Sequence, residues 1–252
     1  MTYLSQGENY TSMPQTMYQP ISALEVLVES TQVHHGEIQR MYTKHESTQV
    51  GYAPCEKVQY HIHSVQFLSP DRIPSVFVED AKQVEHYVRA MVEKTTQKPF
   101  PINITIQVAD PENFDRLHSS YGGRTSKSVM GFSINRIDNV STIVVRKNQL
   151  DAMLLTLAHE IGHVIAIPLR ESVAEEAKAF SFELACMKTI VDYNIAGIAA
   201  SIDQSILFNP AKNGLHDRAF AWVESQLREG KKALKIFFDL ITTSELNSHG
   251  WN

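Results

Sequence analysis

Two histidines four residues apart, His159 and His163, are the residues of this sequence best spaced to act together in chemistry. On an α-helix, positions i and i+4 differ in direction by only about 40°, so both imidazoles can reach one metal ion. Zinc accepts neutral imidazole nitrogen and keeps a coordination position for water when a protein supplies three ligands. Glu160, next to the first histidine, can reach such a water as a general base. The HEIGH segment therefore predicts a zinc site suited to hydrolysis.

The third protein ligand is expected downstream of the two histidines. Ala166 and Leu169 stand where the metzincin class of metalloproteases has Gly and His, so this class is excluded. The acidic residues that remain as candidates are Glu171, Glu175, Glu176 and Glu183.

Glu176 is the candidate that we favour among these four. Ser172 and Glu175 have the spacing of a capping box, which would engage Glu175, and Glu171 precedes that cap. Glu176 lies one turn into the helix and is free to point inward, on the same face as Glu183. The alternative for Glu176 is an exposed acid that the helix dipole favours near the N-terminus.

The elements that must position these residues follow from hydrophobic periodicity. An apolar stripe of period near 3.6 predicts a helix over 150–167, which carries both histidines. A second helix is predicted over 173–191 and an earlier one over 78–94. Strict alternation over 102–108 predicts a strand. Further strands are predicted over 129–135 and 142–147, and further helices after 192. Asp110 and Pro111 predict the start of a short helix after the first strand. One helix, three strands with this small helical insert and then only helices indicate an α+β chain.

The run from His159 to Leu184 resembles the gluzincin branch of the zincin metallopeptidases. It is most similar to the ImmA/IrrE-type and minigluzincin groups, in which HExxH is followed by a helix that reads roughly E-A-x-x-F-A. Here that helix reads EAKAFS, beginning at Glu176. The resemblance implies that His159, His163 and Glu176 bind one zinc ion and that Glu160 is the general base. It implies a zinc metallopeptidase whose substrate is a protein or peptide.

The sequence also predicts a domain organisation, of which the resemblance covers only the core at 78–191. Residues 58–252 would form the zincin-like domain, with its core at 78–191 and a helical part at 192–252. Residues 1–57 would be an N-terminal extension, partly flexible. The core would be a small mixed sheet, with an antiparallel edge strand, packed on a backing helix and on the HExxH helix. The strand over 142–147 would be the edge strand that pairs with an extended substrate.

One departure from the zincins concerns the residues around the metal. Thermolysin-like enzymes have an Asp four residues after the ligand Glu to orient a histidine, but Phe180 stands here. This disfavours the thermolysin type and leaves the residues that support the ligands unassigned. A hydrogen-bond donor for the oxyanion is also expected. The candidates are His216, Arg218, Tyr193 and Tyr121, of which His216 is the best. For His216 itself, however, the sequence favours an exposed histidine at the start of a helix over a role as donor.

Composition excludes several other classes of protein. The chain of 252 residues has 23 basic and 28 acidic side chains and a formal net charge of −5, so binding to nucleic acid is not expected. No segment has the length of apolar sequence that a membrane span or a signal peptide needs. Two cysteines cannot form a disulfide framework. We therefore expect a cytoplasmic protein that does not bind membranes.

Two other functions compete with the peptidase. The first is a regulatory protein that keeps the zincin fold and recognises a protein partner without cutting it. The second is a helical binding module in which the HExxH spacing is accidental. Metal content separates the helical binding module, which would hold no zinc, from the other two functions. The effect of replacing Glu160 on peptide cleavage separates the regulatory protein from the peptidase.

Overall fold

The computed structural model describes residues 64–123, 127–136, 139–203 and 214–242. All of them lie in the unit Ala53–Asn252. The predicted N-terminal extension, 1–57, lies outside the described residues. Within those residues the chain forms helices and two small sheets, so the prediction of an α+β class is confirmed.

Six α-helices and five strands make up the described part of the chain. The helices are α1 (Lys82–Thr96), α2 (Pro111–Ser120), α3 (Leu150–Val164), α4 (Ser172–Tyr193), α5 (Leu215–Arg228) and α6 (Ala233–Thr242). The strands are β1 (Phe77–Val78), β2 (Ile104–Ala109), β3 (Gly131–Ile134), β4 (Ser141–Arg146) and β5 (Asn148–Gln149). Two 3₁₀ turns, Ile195–Gly197 and Ala199–Ser201, follow α4. None of the helices in these ranges has the length and apolar character needed to cross a lipid bilayer.

The larger sheet has the strand order β2-β4-β3. Strand β4 pairs with β2 in parallel and with β3 in antiparallel orientation. The expectation that residues 142–147 form the edge strand is therefore wrong, because this strand is the central one. Its side chains are covered on both faces: Ile143 and Val145 belong to the main core, whereas Val144 packs with Phe114 of α2. The antiparallel edge strand of the sheet is β3.

Strand β2 and helix α2 follow the local sequence signals closely. Ile104, Ile106 and Val108 of β2 are more buried than the polar residues between them, as the alternation predicts. The predicted strand began at Ile102, but this residue lies before β2 and is exposed. Asp110 then caps α2, and its carboxylate accepts a hydrogen bond from the backbone N–H of Asn113 at 2.9 Å.

Helix α3 is the central element of the fold. Fourteen of its fifteen residues are buried, because β3 and β4, α1 and α4 all pack around it. The helix before the sheet, α1, packs against α3 and α4. A helix that is covered on every side presents few polar groups, so the polar residues that α3 does carry, His159 and Glu160 among them, require partners inside the protein. Helix α4 supplies several of them.

The close approach of α3 and α4 depends on Gly162. A Cβ atom at this position would lie 2.7 Å from Cα of Ala179 and 3.0 Å from its carbonyl oxygen. These are backbone atoms of α4 and cannot move aside without moving the helix. The two helices therefore meet at a point where only glycine fits.

We expect Gly162→Ala to destabilise the protein although alanine is the better helix former. The added methyl group overpacks the contact with Ala179, and overpacking of a core costs about 1–3 kcal/mol. Urea unfolding at equilibrium measures the change as a lower midpoint. An unchanged or raised midpoint would contradict the tight packing of the two helices.

Candidate metal centre

Three imidazole nitrogens surround one carboxylate oxygen of Glu176. The Nε2 atoms of His159 and His163 lie 3.5 Å and 3.7 Å from Oε2 of Glu176, and Nδ1 of His216 lies 3.7 Å from it. These separations exceed the usual 2.7–3.2 Å of a nitrogen–oxygen hydrogen bond. Two ligand atoms on one tetrahedral zinc ion are about 3.3–3.5 Å apart, given bonds of about 2.0–2.2 Å. The spacing is thus closer to that of atoms that share a cation than to that of hydrogen-bonded atoms.

The carboxylate oxygen Oε2 of Glu176 is buried and makes no hydrogen bond within the described part of the chain. A buried carboxylate oxygen without a hydrogen bond costs free energy, and the cost is larger for a charged group than for a neutral one. A cation between Glu176 and the imidazoles would remove this cost. The residues present therefore fit a zinc ion. The ligand atoms of His159, Glu176 and His216 lie within 4.8 Å of one another. His163 is outside that group, although its Nε2 lies 3.7 Å from Oε2 of Glu176.

Each histidine of the HExxH segment has a second carboxylate behind it. Nδ1 of His159 lies 3.1 Å from Oε2 of Glu183, and Nδ1 of His163 lies 2.9 Å from Oε1 of Glu175. Because an ionised carboxylate can only accept, each Nδ1 carries a proton, and in the neutral imidazole each Nε2 then has its lone pair on the side of Glu176 for a metal. This arrangement of carboxylate and histidine orients metal-binding imidazoles in proteins.

The capping box that we expected at the start of α4 does not form. Glu171 occupies the cap position instead, and its carboxylate accepts the N–H of Ala174 at 2.7 Å. Glu175 is therefore not engaged with Ser172 and can turn toward His163. The expected engagement of Glu175 in a capping box is therefore wrong, and this expectation was part of the case for Glu176.

Lys178 is a fully buried cation that joins the ends of α3 and α4. Its ammonium lies 2.9 Å from the carboxylate of Glu175 and donates to the carbonyl oxygens of His163 and Ile167 at 3.2 Å and 3.1 Å. Burial lowers the pKa of Lys178, and the neighbouring Glu175 opposes this shift. The same carboxylate accepts the N–H of Leu169 at 2.7 Å. The lysine thus holds the carboxylate that orients His163.

Glu160 lies beside the edge strand β3. A Cβ atom built on Gly131 would lie 3.1 Å from Cγ and 3.2 Å from Oε1 of Glu160, so the strand backbone approaches this side chain closely. The Ser133 side chain, two residues on and on the same face of β3, hydrogen-bonds to Glu160. Burial raises the pKa of Glu160, and the nearby His163 and His159 only partly oppose the shift. A carboxylate with a raised pKa is suited to proton transfer near neutral pH.

The charges at the centre are strongly coupled. Burial alone would raise the pKa of Glu176, but His216, His163 and His159 outweigh burial and hold this pKa well below its usual range. Burial lowers the pKa of His159, yet the negative charges of Glu176 and Glu183 raise it well above its usual value. The pKa of His163 is raised as well, against the effect of burial, by Glu176 and Glu175. Because a metal needs the unprotonated Nε2 atoms of both histidines, its binding is coupled to the release of protons.

Of the four candidates for an oxyanion donor, the structure brings only His216 to the centre. Arg218 is exposed and projects about 200° away from His216 around α5. Tyr193 is exposed and lies about 25 Å along α4 from Glu176, at 1.5 Å per residue. Tyr121 is exposed, and its ring lies against Phe132, on the face of β3 opposite to Ser133.

Two groups of the centre were missed by sequence reasoning. Glu183 lies seven residues after Glu176, two helical turns on the same face, and this spacing was a usable signal. Glu175 gave no such signal, because its contact with His163 depends on the path of the loop that connects α3 to α4.

Comparisons of this chain with protein-family models, with curated proteins and with solved structures gave no match.

Replacing Glu183 by glutamine tests the support of His159. Glutamine has the same shape and can still accept from Nδ1, but it lacks the negative charge that makes the imidazole a better metal ligand. Loss of such an outer partner weakens metal affinity by about 10–100-fold, and we expect about tenfold here. Competition with a chelating dye measures the zinc affinity. Glu85→Gln, on the exposed face of α1, is the matched control, and equal affinities in both variants would contradict the assignment.

Proposed function

We propose that this chain is a zinc-dependent metallopeptidase of the gluzincin type, with a zincin-like core built from α1, the larger sheet, α3 and α4. The single observation that supports it best is the buried oxygen of Glu176, which has no hydrogen-bond partner among the described residues and faces the Nε2 atoms of His159 and His163. Glu160, on the same helix turn as these histidines, supplies the general base.

The chemistry divides between the metal and the residues around it. When bound, zinc supplies a Lewis acid and lowers the pKa of a coordinated water to about 7. Glu160 takes a proton from the attacking water and passes it to the leaving amine, and its raised pKa suits both transfers. Glu183 and Glu175 hold the two imidazoles in place throughout.

The edge strand β3 suits an extended peptide as substrate. Among the described strands it pairs with β4 alone, so its other side can accept main-chain hydrogen bonds from a peptide. Gly131 and Ser133 of this strand adjoin Glu160. A peptide that lengthens the sheet here would lie next to the general base. The proposed substrates are therefore proteins or peptides that bind in extended conformation.

A catalytically silent zincin-fold protein is the second candidate, and one observation favours it. A third imidazole, that of His216, approaches Glu176 as closely as that of His163 does. If all three imidazoles bound the metal permanently, no position would ever become free for water. The protein would then serve as a binding protein for a partner.

Removal and return of the metal tests the proposed function. The purified protein is expected to hold about one zinc ion per chain and to cleave members of a broad peptide library. Dialysis against a chelator is expected to abolish cleavage, because the ligands then hold no Lewis acid, and added zinc restores it. Mass spectrometry of the library identifies the new termini. Cleavage that survives in metal-free protein, or its absence from zinc-loaded protein, would contradict the proposal.

A further inference from the structure

We propose that His216 is a fourth protein ligand of the metal, so that the resting site is closed and opens when His216 leaves. This inference rests on the proposed function, because it concerns the metal that the function requires. It assigns to His216 a place in the metal's coordination sphere rather than a hydrogen bond to the substrate.

The position of His216 carries the argument. Its Nδ1 atom lies 3.7 Å from Oε2 of Glu176, the same distance as that of His163 Nε2 and close to the 3.5 Å of His159 Nε2. One ligand atom each from His159, Glu176 and His216 lies within 4.8 Å of the other two, and this group does not include His163. His163 adjoins the group through Oε2 of Glu176, 3.7 Å from its Nε2. A residue that only contacted a substrate would not need to approach the oxygen of Glu176 as closely as the metal-binding imidazoles do.

Packing holds the His216 ring in this position. It is stacked on the ring of His159, with an interplanar angle of 15° and 6.3 Å between centroids, and it meets Phe180 edge-on at 6.0 Å. Four residues further along α5, Phe220 packs on Phe180 at 5.4 Å and on Phe67 at 5.7 Å. His216 and Phe220 share one face of α5. The helix therefore presents the imidazole to the centre as part of a packed surface.

Coordination chemistry gives this position a consequence. Zinc with three protein ligands keeps a place for water, whereas zinc with four is closed and structural. His159 and His163 lie on α3 and Glu176 on α4, but His216 lies in the first turn of α5. The closed and open sites thus differ in the position of one residue on a separate helix.

The competing assignment makes His216 a donor to the developing oxyanion. The two assignments predict opposite effects on metal affinity. A ligand contributes to zinc binding in the absence of any substrate, whereas a donor contributes only when a substrate is bound. Metal affinity without substrate therefore separates them.

The experiment compares His216→Asp with His216→Asn in the full-length chain. Both side chains place an oxygen at the distance from Cα at which His216 has Nδ1, and they differ in charge but hardly in shape. Aspartate is a good zinc ligand, and neutral asparagine is a poor one. His216→Ala removes the ligand altogether, and His86→Ala, at an exposed position of α1, is the matched control. Zinc affinity is measured by competition with a chelating dye, and cobalt(II) spectra report the change of ligand at the metal.

Loss of a partner that only hydrogen-bonds to a metal ligand lowers metal affinity by about 10–100-fold. If His216 is itself a ligand, His216→Ala lowers the zinc affinity by more than this. His216→Asp keeps most of the affinity, and His216→Asn is weak. In His216→Ala, water takes the place of an imidazole, so the cobalt spectrum shifts although the site stays four-coordinate. Should His216→Ala fail to fold, as judged by circular dichroism, the difference between aspartate and asparagine still decides the matter.

Equal zinc affinity in the wild type, His216→Ala and His216→Asn would overturn the inference and leave the proposed function standing. Wild-type protein that binds no zinc would overturn the inference and the proposed function together.

Discussion

Replacing Glu160 by glutamine is expected to abolish nearly all peptide hydrolysis while the protein keeps its zinc. Glutamine fills the same space beside Gly131 and can still bond to Ser133, but it cannot take a proton from water. General acid–base catalysis contributes roughly 100- to 10,000-fold to rate, so kcat should fall by a factor in this range. Because Glu160 is not among the proposed ligands, zinc content should stay at the wild-type level.

The cleavage rate and the zinc content of Glu160→Gln are measured on one sample. Cleavage of the peptide library gives the rate, and metal analysis of the same preparation gives the zinc content. Glu85→Gln provides a neutralised glutamate at an exposed position and should cleave as the wild type does. Equal cleavage by the wild type and Glu160→Gln would remove Glu160 from the mechanism and exclude a peptidase of this type.

Replacing His159 by alanine is expected to remove stoichiometric zinc. The change deletes one of the three nitrogens that face Glu176, and it deprives fully buried Glu183 of the N–H that its Oε2 accepts. A buried charged group left without its hydrogen bond costs about 1–3 kcal/mol or more. The variant therefore loses stability even without metal, and it also loses the stabilisation that bound zinc gives the wild type.

Metal analysis and thermal unfolding with and without zinc check this expectation. Zinc should raise the Tm of the wild type and leave that of His159→Ala unchanged. His86→Ala, an exposed histidine on α1, should behave as the wild type does. Full zinc occupancy in His159→Ala would show that the metal binds elsewhere or that the HExxH spacing is accidental.

The fold was predictable where the signal is local. Alternation located β2, Asp110 located the start of α2, and the apolar stripe located α3. Strand order was not predictable in this way, since pairing joins residues far apart in sequence. The unbroken apolar run Ile143-Val144-Val145 is typical of a strand covered on both faces and was the available sign that β4 is central.

The candidate site was likewise predictable only where its residues are close together in sequence. Helical spacing brought His159, Glu160 and His163 together, because they lie on one turn. Glu176 was chosen by a capping argument whose premise the structure corrects, since Glu171 is the cap. The contacts of Glu175 and His216 come from tertiary packing of α4 and α5 against α3, which no local pattern reports.

Hydrolysis in water enriched in heavy oxygen tests the central claim most directly. Zinc-loaded wild-type protein is incubated with the peptide library in this water, and the products are weighed by mass spectrometry. The proposed mechanism predicts one heavy oxygen in each newly formed carboxyl group, and almost none of these products with zinc-loaded Glu160→Gln. If zinc-loaded wild-type protein forms no such products, or if Glu160→Gln forms them at the same rate, the chain is not a zinc peptidase with Glu160 as its base.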